Sequence, residues 1–441
     1  MKPSEIEHLL KNSPDPELAF KQWDKIQNHF TPLFKKAGDY RSVMSLLGRS
    51  IFLVEFLLNN PQCIQELATS KYLDQKKTKT IHLEENQNLL QSHDLTSAKK
   101  QLRYFKYREM ARILIRDFTG KLAFEEMGQE ISCLASAAVE LAHQLHFNMN
   151  PWSFKEPCIF TTLGMGKLGG NDLNLSSDID IIYLFDVPEN LVETAPIGDM
   201  FETFNKAAKG VSHLLEDRTE DGIVFRVDLE LRPQGKSGPL VNSLDSIMTY
   251  YEVAGASWER SALIKALPIA GDVALGQNFL KRILPFVYRR SIDPSIIGDL
   301  KKMKEKINVE LGKNFKTYNL KLGNGGIREI EFFVSSFQLV YGGREILLRE
   351  RNTLKVLKVL KELKLIPTSD AEKLHEAYVF LRRLENYIQS REERQTHCLP
   401  AEDKELLVMA KMMNCSSTDA LTSRLTQHTQ FVSECFNNLV A

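Results

Sequence analysis

The sequence predicts an α+β protein, predominantly helical, in which a small mixed sheet is flanked by N-terminal helices and a C-terminal helical bundle. Three observations carry that prediction. Apolar residues recur at helical spacing through residues 1–120 and again through 291–441. Short β-prone runs are confined to 121–290. Those runs are separated by a glycine loop and a single helix, not by regular strand–helix repeats. The three regions are accordingly an N-terminal helical region (1–120), a sheet domain (121–290) and a C-terminal helical bundle (291–441).

In the first region, "YRSVMSLLGRSIFLVEFLLNNP" is apolar at helical spacing and stops before Pro61. The polar stretch "QKKTKTIHLEENQNLLQSHDLTSAKK" reads as a mobile connection or a poorly packed helix. "AKKQLRYFKYREMARILIRDF" mixes basic and apolar residues; a solvated helix face is its ordinary explanation, with a nucleic-acid patch as the competing one. The middle region opens with a helix whose stripe is Ile131, Leu134, Ala138, Leu141 and Leu145. "CIFTTLG", "IDIIYLF" and "GIVFRVDLELRP" then read as strands, the last with the clearest alternation. The helix "MFETFNKAAKGVSHLLED" separates the second from the third. In the last region, Ser369 and Glu372 have capping-box spacing before a stripe through Leu374, Ala377, Leu381, Leu384 and Ile388.

Composition excludes several functions. Of 441 residues, 57 are Lys or Arg and 57 Asp or Glu, so there is no global electrostatic footprint for nucleic acid. The six cysteines form no C-x-x-C pair, which argues against structural zinc and suits a reducing cytoplasm. The N-terminus lacks the apolar core of a signal peptide, and no stretch approaches a membrane span. The expectation is a cytoplasmic protein with no nucleic-acid or membrane partner.

The chemistry concentrates in "GMGKLGGNDLNLSSDIDIIYLF", which satisfies two motifs at once. Gly164, Gly166 and Gly169 follow a strand, as a dinucleotide fingerprint requires. That fingerprint also needs a helix to open at once, and here an Asn-, Asp- and Ser-rich loop runs straight into another strand. A calcium loop from Asp172 fails too, because Ser177 and Tyr183 stand where Gly and Glu are needed. Asp178 and Asp180 fare better. Separated by two at a strand start, they project from one face and offer hard oxygen donors suited to Mg²⁺. Asp228 supplies a third carboxylate on a later strand, with Glu230 two residues on and facing the same way. Taken alone, D-x-D is a weak motif whose ordinary explanation is surface charge. The glycine turn before it, which lets phosphates approach the backbone, raises its value. Lys167, Arg232 and Lys236 are candidate phosphate contacts, or else solvated loop charges. His143 and His146 lack a third ligand and read as ordinary surface or core histidines.

The glycine turn, the D-x-D on the next strand and the later carboxylate resemble the polymerase-β-like nucleotidyltransferase superfamily. Eleven residues separate Gly166 from Asp178, as in a subset of these enzymes. Four stretches in order narrow the match: the opening motif, "FRVDLELRPQGKSGPLV", "YYEVAGASWERSALIKA" and "KLGNGGIREIEFFVSSFQLVYGGRE". Together they resemble the glutamine synthetase adenylyltransferase/adenylyl-removase family, whose full chains carry two such halves and are roughly twice this length. The Trp258-Glu259-Arg260 sequence is closer to the N-terminal, adenylyl-removing half.

The resemblance implies phosphorolysis of adenylyl-tyrosine on glutamine synthetase, releasing ADP. It implies two Mg²⁺ ions on Asp178, Asp180 and Asp228, and nucleotide or phosphate contacts from Gly164, Gly166, Lys167, Gly169, Ser177, Arg232 and Lys236. Glu230, Glu259, Arg260, Lys265, Arg328, Glu329 and Glu331 are secondary candidates, the last three following a glycine turn at a helix start, where acidic residues suit the dipole in any case. Trp258 is expected to pack in the core. Implied partners are glutamine synthetase, a PII-type signal protein, ATP or ADP, and inorganic phosphate. The forward adenylyltransferase and a non-catalytic regulatory module remain as alternatives. One residue departs from the family pattern: Leu267 stands where an Arg is usual.

Overall fold

The computed structural model describes residues 1–92, 94–151, 159–187, 197–290, 295–311 and 317–439. Among the described residues helices dominate, and five short strands form one mixed sheet.

The stretch expected as one helix before Pro61 is two, Tyr40–Met44 and Ile51–Asn59. Gly48 breaks it at φ 73°, where an added Cβ would lie 2.6 Å from the Asp15 carbonyl oxygen. Ser50 restarts the helix by accepting the Leu53 N–H. The polar stretch that follows is not loose. It forms a helix, Lys79–Glu85, and a short 3₁₀ turn, Gln87–Gln91. Lys77 is buried against Glu109 at 3.1 Å, and His82 is buried beside it.

Helix α1 (Leu95–Phe118) overturns the solvated-face reading of its basic residues. Arg103, Lys106 and Arg112 are all buried. A helix enclosed on most sides must pair its charges, because an unpaired buried ion costs several kcal/mol. Arg112 donates to Glu109 at 2.8 Å and to Glu130 at 2.5 Å. Arg103 donates to the carbonyl oxygens of Lys99 and Gly222 at 2.8 and 2.9 Å. Helix α2 (Phe124–Met149) buries its expected stripe. His143 is a core residue, bonded to the Thr162 hydroxyl at 2.7 Å and stacked on Phe160.

Strands β1 (Ile159–Gly164) and β2 (Ile179–Asp186) pair antiparallel, as β1 does with β5 (Leu267–Gly271). Strands β3 (Val227–Asp228) and β4 (Val241–Ser243) both run parallel to β2. The anticipated twelve-residue third strand therefore shrinks to two residues. Immediately after Asp228 the chain turns, its Oδ1 accepting the Glu230 N–H at 2.7 Å. Pro268 hides β5 from a pattern search, and is tolerated because β5 is an edge strand.

Alternation on β2 divides the core. Ile179, Ile181, Tyr183 and Phe185 join a cluster that reaches from Leu10 to Ala270, so residues 1–120 and the sheet share one interior. Ile182 and Leu184 face a second cluster, which extends to Phe332 and Phe436. Helices α3 (Ile327–Tyr341) and α4 (Thr368–Glu392) build a third cluster with Thr418–Asn438. The expected capping box on α4 does not form. Its N-cap is Pro367, while Ser369 bonds Asp370 and Glu372 pairs with Lys361 at 2.6 Å. Among the described residues, no helix is long and apolar enough to cross a membrane.

Candidate active site

The glycines after β1 let the backbone pass where side chains could not. Gly166 adopts φ 50°, and a Cβ there would lie 2.4 Å from Asp180 Oδ2. A Cβ on Gly169 would lie 1.8 Å from the Lys265 carbonyl oxygen, and one on Gly164 2.9 Å from Ile269. Only a single helical turn, Gly166–Gly169, follows, so this is not the long helix of a dinucleotide fold. Met165 donates its N–H to the Asp180 carbonyl at 2.8 Å, which fastens the turn across the start of β2.

From there the chain runs along α4, which meets it residue by residue. Asp172 accepts from Arg382 at 2.9 Å and from the Tyr378 hydroxyl at 2.6 Å. Asn174 accepts from Arg382 Nε at 3.0 Å and donates to Glu385. The Leu175 and Ser176 N–H groups donate to Asn386 and Gln389, both at 3.2 Å. Ser177 is half-buried at the end of this run. None of these α4 residues was a candidate from sequence. Their signal was polar residues at helical spacing (Tyr378, Arg382, Glu385, Gln389) beside the apolar stripe, a second face that α4 had no reason to carry if exposed.

The loop delivers the carboxylates. Asp180 lies opposite Asp228 in the β2/β3 register. Burial, and next the Asp228 carboxylate, push Asp180 up to about 6. Asp178 takes a different course. Its Oδ1 accepts from Arg226 at 2.5 Å and its Oδ2 from Gln395 at 2.7 Å. Among the described residues, no three His, Cys, Asp or Glu side chains converge closely enough to hold a metal ion. The fit to a divalent cation therefore rests on two oxygen donors, Asp180 and Asp228, whose mutual repulsion a cation would relieve. Asp178 is a third donor engaged elsewhere.

Lys167 acts on Asp180 from beside this pair, and Lys167 and Lys265 both act on Glu331. Lys265 Nζ is 3.9 Å from Glu331 Oε1, which also accepts from the Tyr378 hydroxyl at 3.2 Å. Burial raises the Glu331 carboxyl, but Lys265, Lys167, Arg382 and Lys321 outweigh it and hold the group at about 2. Leu267 pairs in register with Gly164, so the family's usual Arg would start one strand from the glycine turn.

Other candidates are occupied elsewhere. Past Asp228 there is no strand to carry Glu230 to the same face; it pairs instead with exposed Lys236 at 2.7 Å. Arg232 donates to carbonyl oxygens of its own loop, Leu229 at 2.8 Å and Pro239 at 3.1 Å. Glu259 is buried as a helix cap, accepting from the Ala256 N–H at 2.8 Å and the Tyr250 hydroxyl at 3.0 Å. Arg260 donates to the Phe286 carbonyl at 3.0 Å. Trp258 is 41% exposed, not packed in the core. Arg328 is half-buried, its N–H donated to the Lys321 carbonyl at 3.2 Å. Glu329 is fully buried and accepts the Gly325 N–H at 3.0 Å, two residues from Glu331 and on another face of α3.

The family described as glutamate-ammonia ligase adenylyltransferase matches residues 40–282. The family described as GlnD PII-uridylyltransferase matches residues 301–440. Three relatives are each called bifunctional glutamine synthetase adenylyltransferase/adenylyl-removing enzyme. That of Nitrosococcus oceani is 36% identical over 100% of this chain and 46% of its own. That of Methylococcus capsulatus is 34% identical over 96% of this chain and 45% of its own. That of Pseudomonas aeruginosa is 38% identical over 78% of this chain and 36% of its own. The chain spans less than half the length of these relatives.

Proposed function

Because the chain belongs to the glutamate-ammonia ligase adenylyltransferase family, we propose that it transfers adenylyl groups on glutamine synthetase, in the removing direction. The observation that carries the proposal is the Asp180–Asp228 pair lying under the Gly166 turn beside Lys167. The removing direction rests on the Trp258-Glu259-Arg260 sequence. Glutamine synthetase as substrate is supported by the relatives' names, and a PII-type partner by the match over residues 301–440.

In this reading an oxygen of inorganic phosphate attacks the phosphorus of the AMP group. The bond to the tyrosine oxygen breaks, the tyrosine oxygen takes up a proton, and ADP departs. Phosphate is already a nucleophile, so no side chain need deprotonate it. Asp180 and Asp228 would hold Mg²⁺, with Asp178 as a further ligand, and bound Mg²⁺ would neutralise charge on the phosphoryl oxygens. The chain's own part is positional. The Gly166 turn admits phosphates close to the backbone, Lys167 supplies a cation beside them, and the loop held by α4 fixes the carboxylates.

Incubating the chain with adenylylated glutamine synthetase, Mg²⁺ and phosphate should yield ADP. Asp180→Asn should abolish turnover while leaving binding to glutamine synthetase largely intact. Pyrophosphate released from ATP instead would reverse the direction. Binding without either product would favour a regulatory module, which the engagement of Asp178 by Arg226 and Gln395 makes a specific second reading.

A further inference from the structure

Gln395 lies just past the end of α4, outside every sequence motif. Glu393 closes that helix in a left-handed turn, φ 55°, and the turn is anchored twice. Its side chain accepts from the Tyr107 hydroxyl of α1 at 2.8 Å, and its carbonyl accepts from the Ser176 hydroxyl at 3.0 Å. Beyond Gln395 the chain is fixed again. The Thr396 carbonyl accepts from Gln389 Nε2 at 3.3 Å, and the His397 ring bonds Glu385. The His397 carbonyl accepts the Leu320 N–H at 2.7 Å. Gln395 is itself exposed, but the residues on either side of it are held.

So placed, Gln395 Nε2 donates to Asp178 Oδ2 at 2.7 Å, while Arg226 Nε donates to Oδ1 at 2.5 Å. Arg226 is also fixed. Its carbonyl accepts the Ile179 N–H at 2.9 Å, and its guanidinium donates to the Ser176 carbonyl as well. Each donor takes one lone pair of one carboxylate oxygen. An ionised carboxylate offers about four such sites, so the two bonds orient Asp178 without exhausting it. Metal-ligating carboxylates are ordinarily held by hydrogen bonds of this kind. The donor type matters too. A second cation at this position would compete with a divalent ion for Asp178, whereas a neutral amide fixes the oxygen and adds no charge.

We propose that Gln395 is a positioning residue for the divalent-cation site: with Arg226 it sets the orientation of the Asp178 carboxylate, the third oxygen donor. The C-terminal region thereby completes a site whose carboxylates all come from the sheet and its edge. This rests on the adenylyl-transfer reading and adds to it a residue that acts on the cation through Asp178.

The test is titration of the full chain with Mn²⁺ alone, an ion that takes oxygen ligands as Mg²⁺ does and whose free form electron paramagnetic resonance counts. Gln395→Met keeps the length of the side chain and removes its donor. It should weaken Mn²⁺ binding about tenfold or more. The melting temperature of the cation-free chain should stay the same, because the substitution lies at the surface. In an Asp178→Asn background the same substitution should have no further effect, the coupling expected of a residue that acts through Asp178 alone. Equal Mn²⁺ affinity, or none, in the unsubstituted and Gln395→Met chains would overturn the inference. A loss that persists undiminished in the Asp178→Asn background would overturn it too. Either result, with turnover by the unsubstituted chain still lost in Asp180→Asn, would leave the adenylyl-transfer reading standing. Mn²⁺ binding weakened in Gln395→Met, with neither ADP nor pyrophosphate formed by the unsubstituted chain, would do the reverse.

Discussion

Gly166 is the residue on which the site's compactness turns. A methyl group there would meet the Asp180 carboxylate at 2.4 Å, at a φ of 50° that L-residues rarely adopt. Gly166→Ala should lower thermal stability by about 1–3 kcal/mol and remove most turnover, because the turn and the carboxylate can no longer share their space. Activity and melting temperature read together would expose an error: an unchanged melting temperature means the turn has room. Glu329 gives the pH prediction. Burial raises its carboxyl, the Gly325 N–H and Lys304 only partly offset that, and the group is pushed up to about 7 from 4.5. A carboxyl with a raised folded-state value costs stability once the unfolded state ionises and the folded state does not. The cost is absent below about pH 4.5, grows between 4.5 and 7, and is complete above 7. Glu329→Gln, which still accepts the Gly325 N–H, should therefore stabilise the chain by about 3 kcal/mol above pH 7 and by nothing near pH 4. Denaturant melts across that range would show whether the gap closes.

At the scale of elements, α4 is the scaffold of the candidate site, and Arg382 is its central contact. Replacing Arg382 by Met keeps the helix but leaves Asp172 buried with only the Tyr378 hydroxyl, which should cost about 3 kcal/mol. Chemical denaturation measures this directly, and a cost under 1 kcal/mol would mean that water replaces the guanidinium. What the sequence made legible here follows from which patterns are local. The β2 alternation and the α2 and α4 stripes were readable because each element meets a core on one face. The brevity of β3 was not, since it depends on Asp228 capping the next turn. Nor were the buried charges of α1, because a helix whose cations are satisfied by Glu130 and by carbonyls near residue 222 has the same local pattern as a solvated one. The carboxylates, the glycine turn, Lys167 and Lys265 were candidates by motif, and of these the structure brings Asp180, Asp228 and Gly166 together. Arg226 and Gln395 were missed because their meaning lies in Asp178, far away along the chain.

Across the whole molecule, the three cores do not respect the compositional boundaries. The first joins the N-terminal helices to the sheet, and the second joins the sheet's other face to α3 and Phe436. Calorimetry of the full chain should therefore give one cooperative transition. Two resolved transitions would mean that the bundle melts independently. A fragment ending near residue 290 should be insoluble or molten, since it would expose the second core and strip the loop 171–178 of its hydrogen-bond partners.

The contact between that loop and α4 also constrains recombination. A chimaera that takes the glycine turn and β2 from one relative and the bundle from another inherits two surfaces that were selected separately. A crossover placed anywhere between β2 and α4, however neutral it looks in the alignment of either half, divides Asp172 and Asn174 from Arg382 and Glu385. The unit that can be exchanged intact is thus the loop together with its helix.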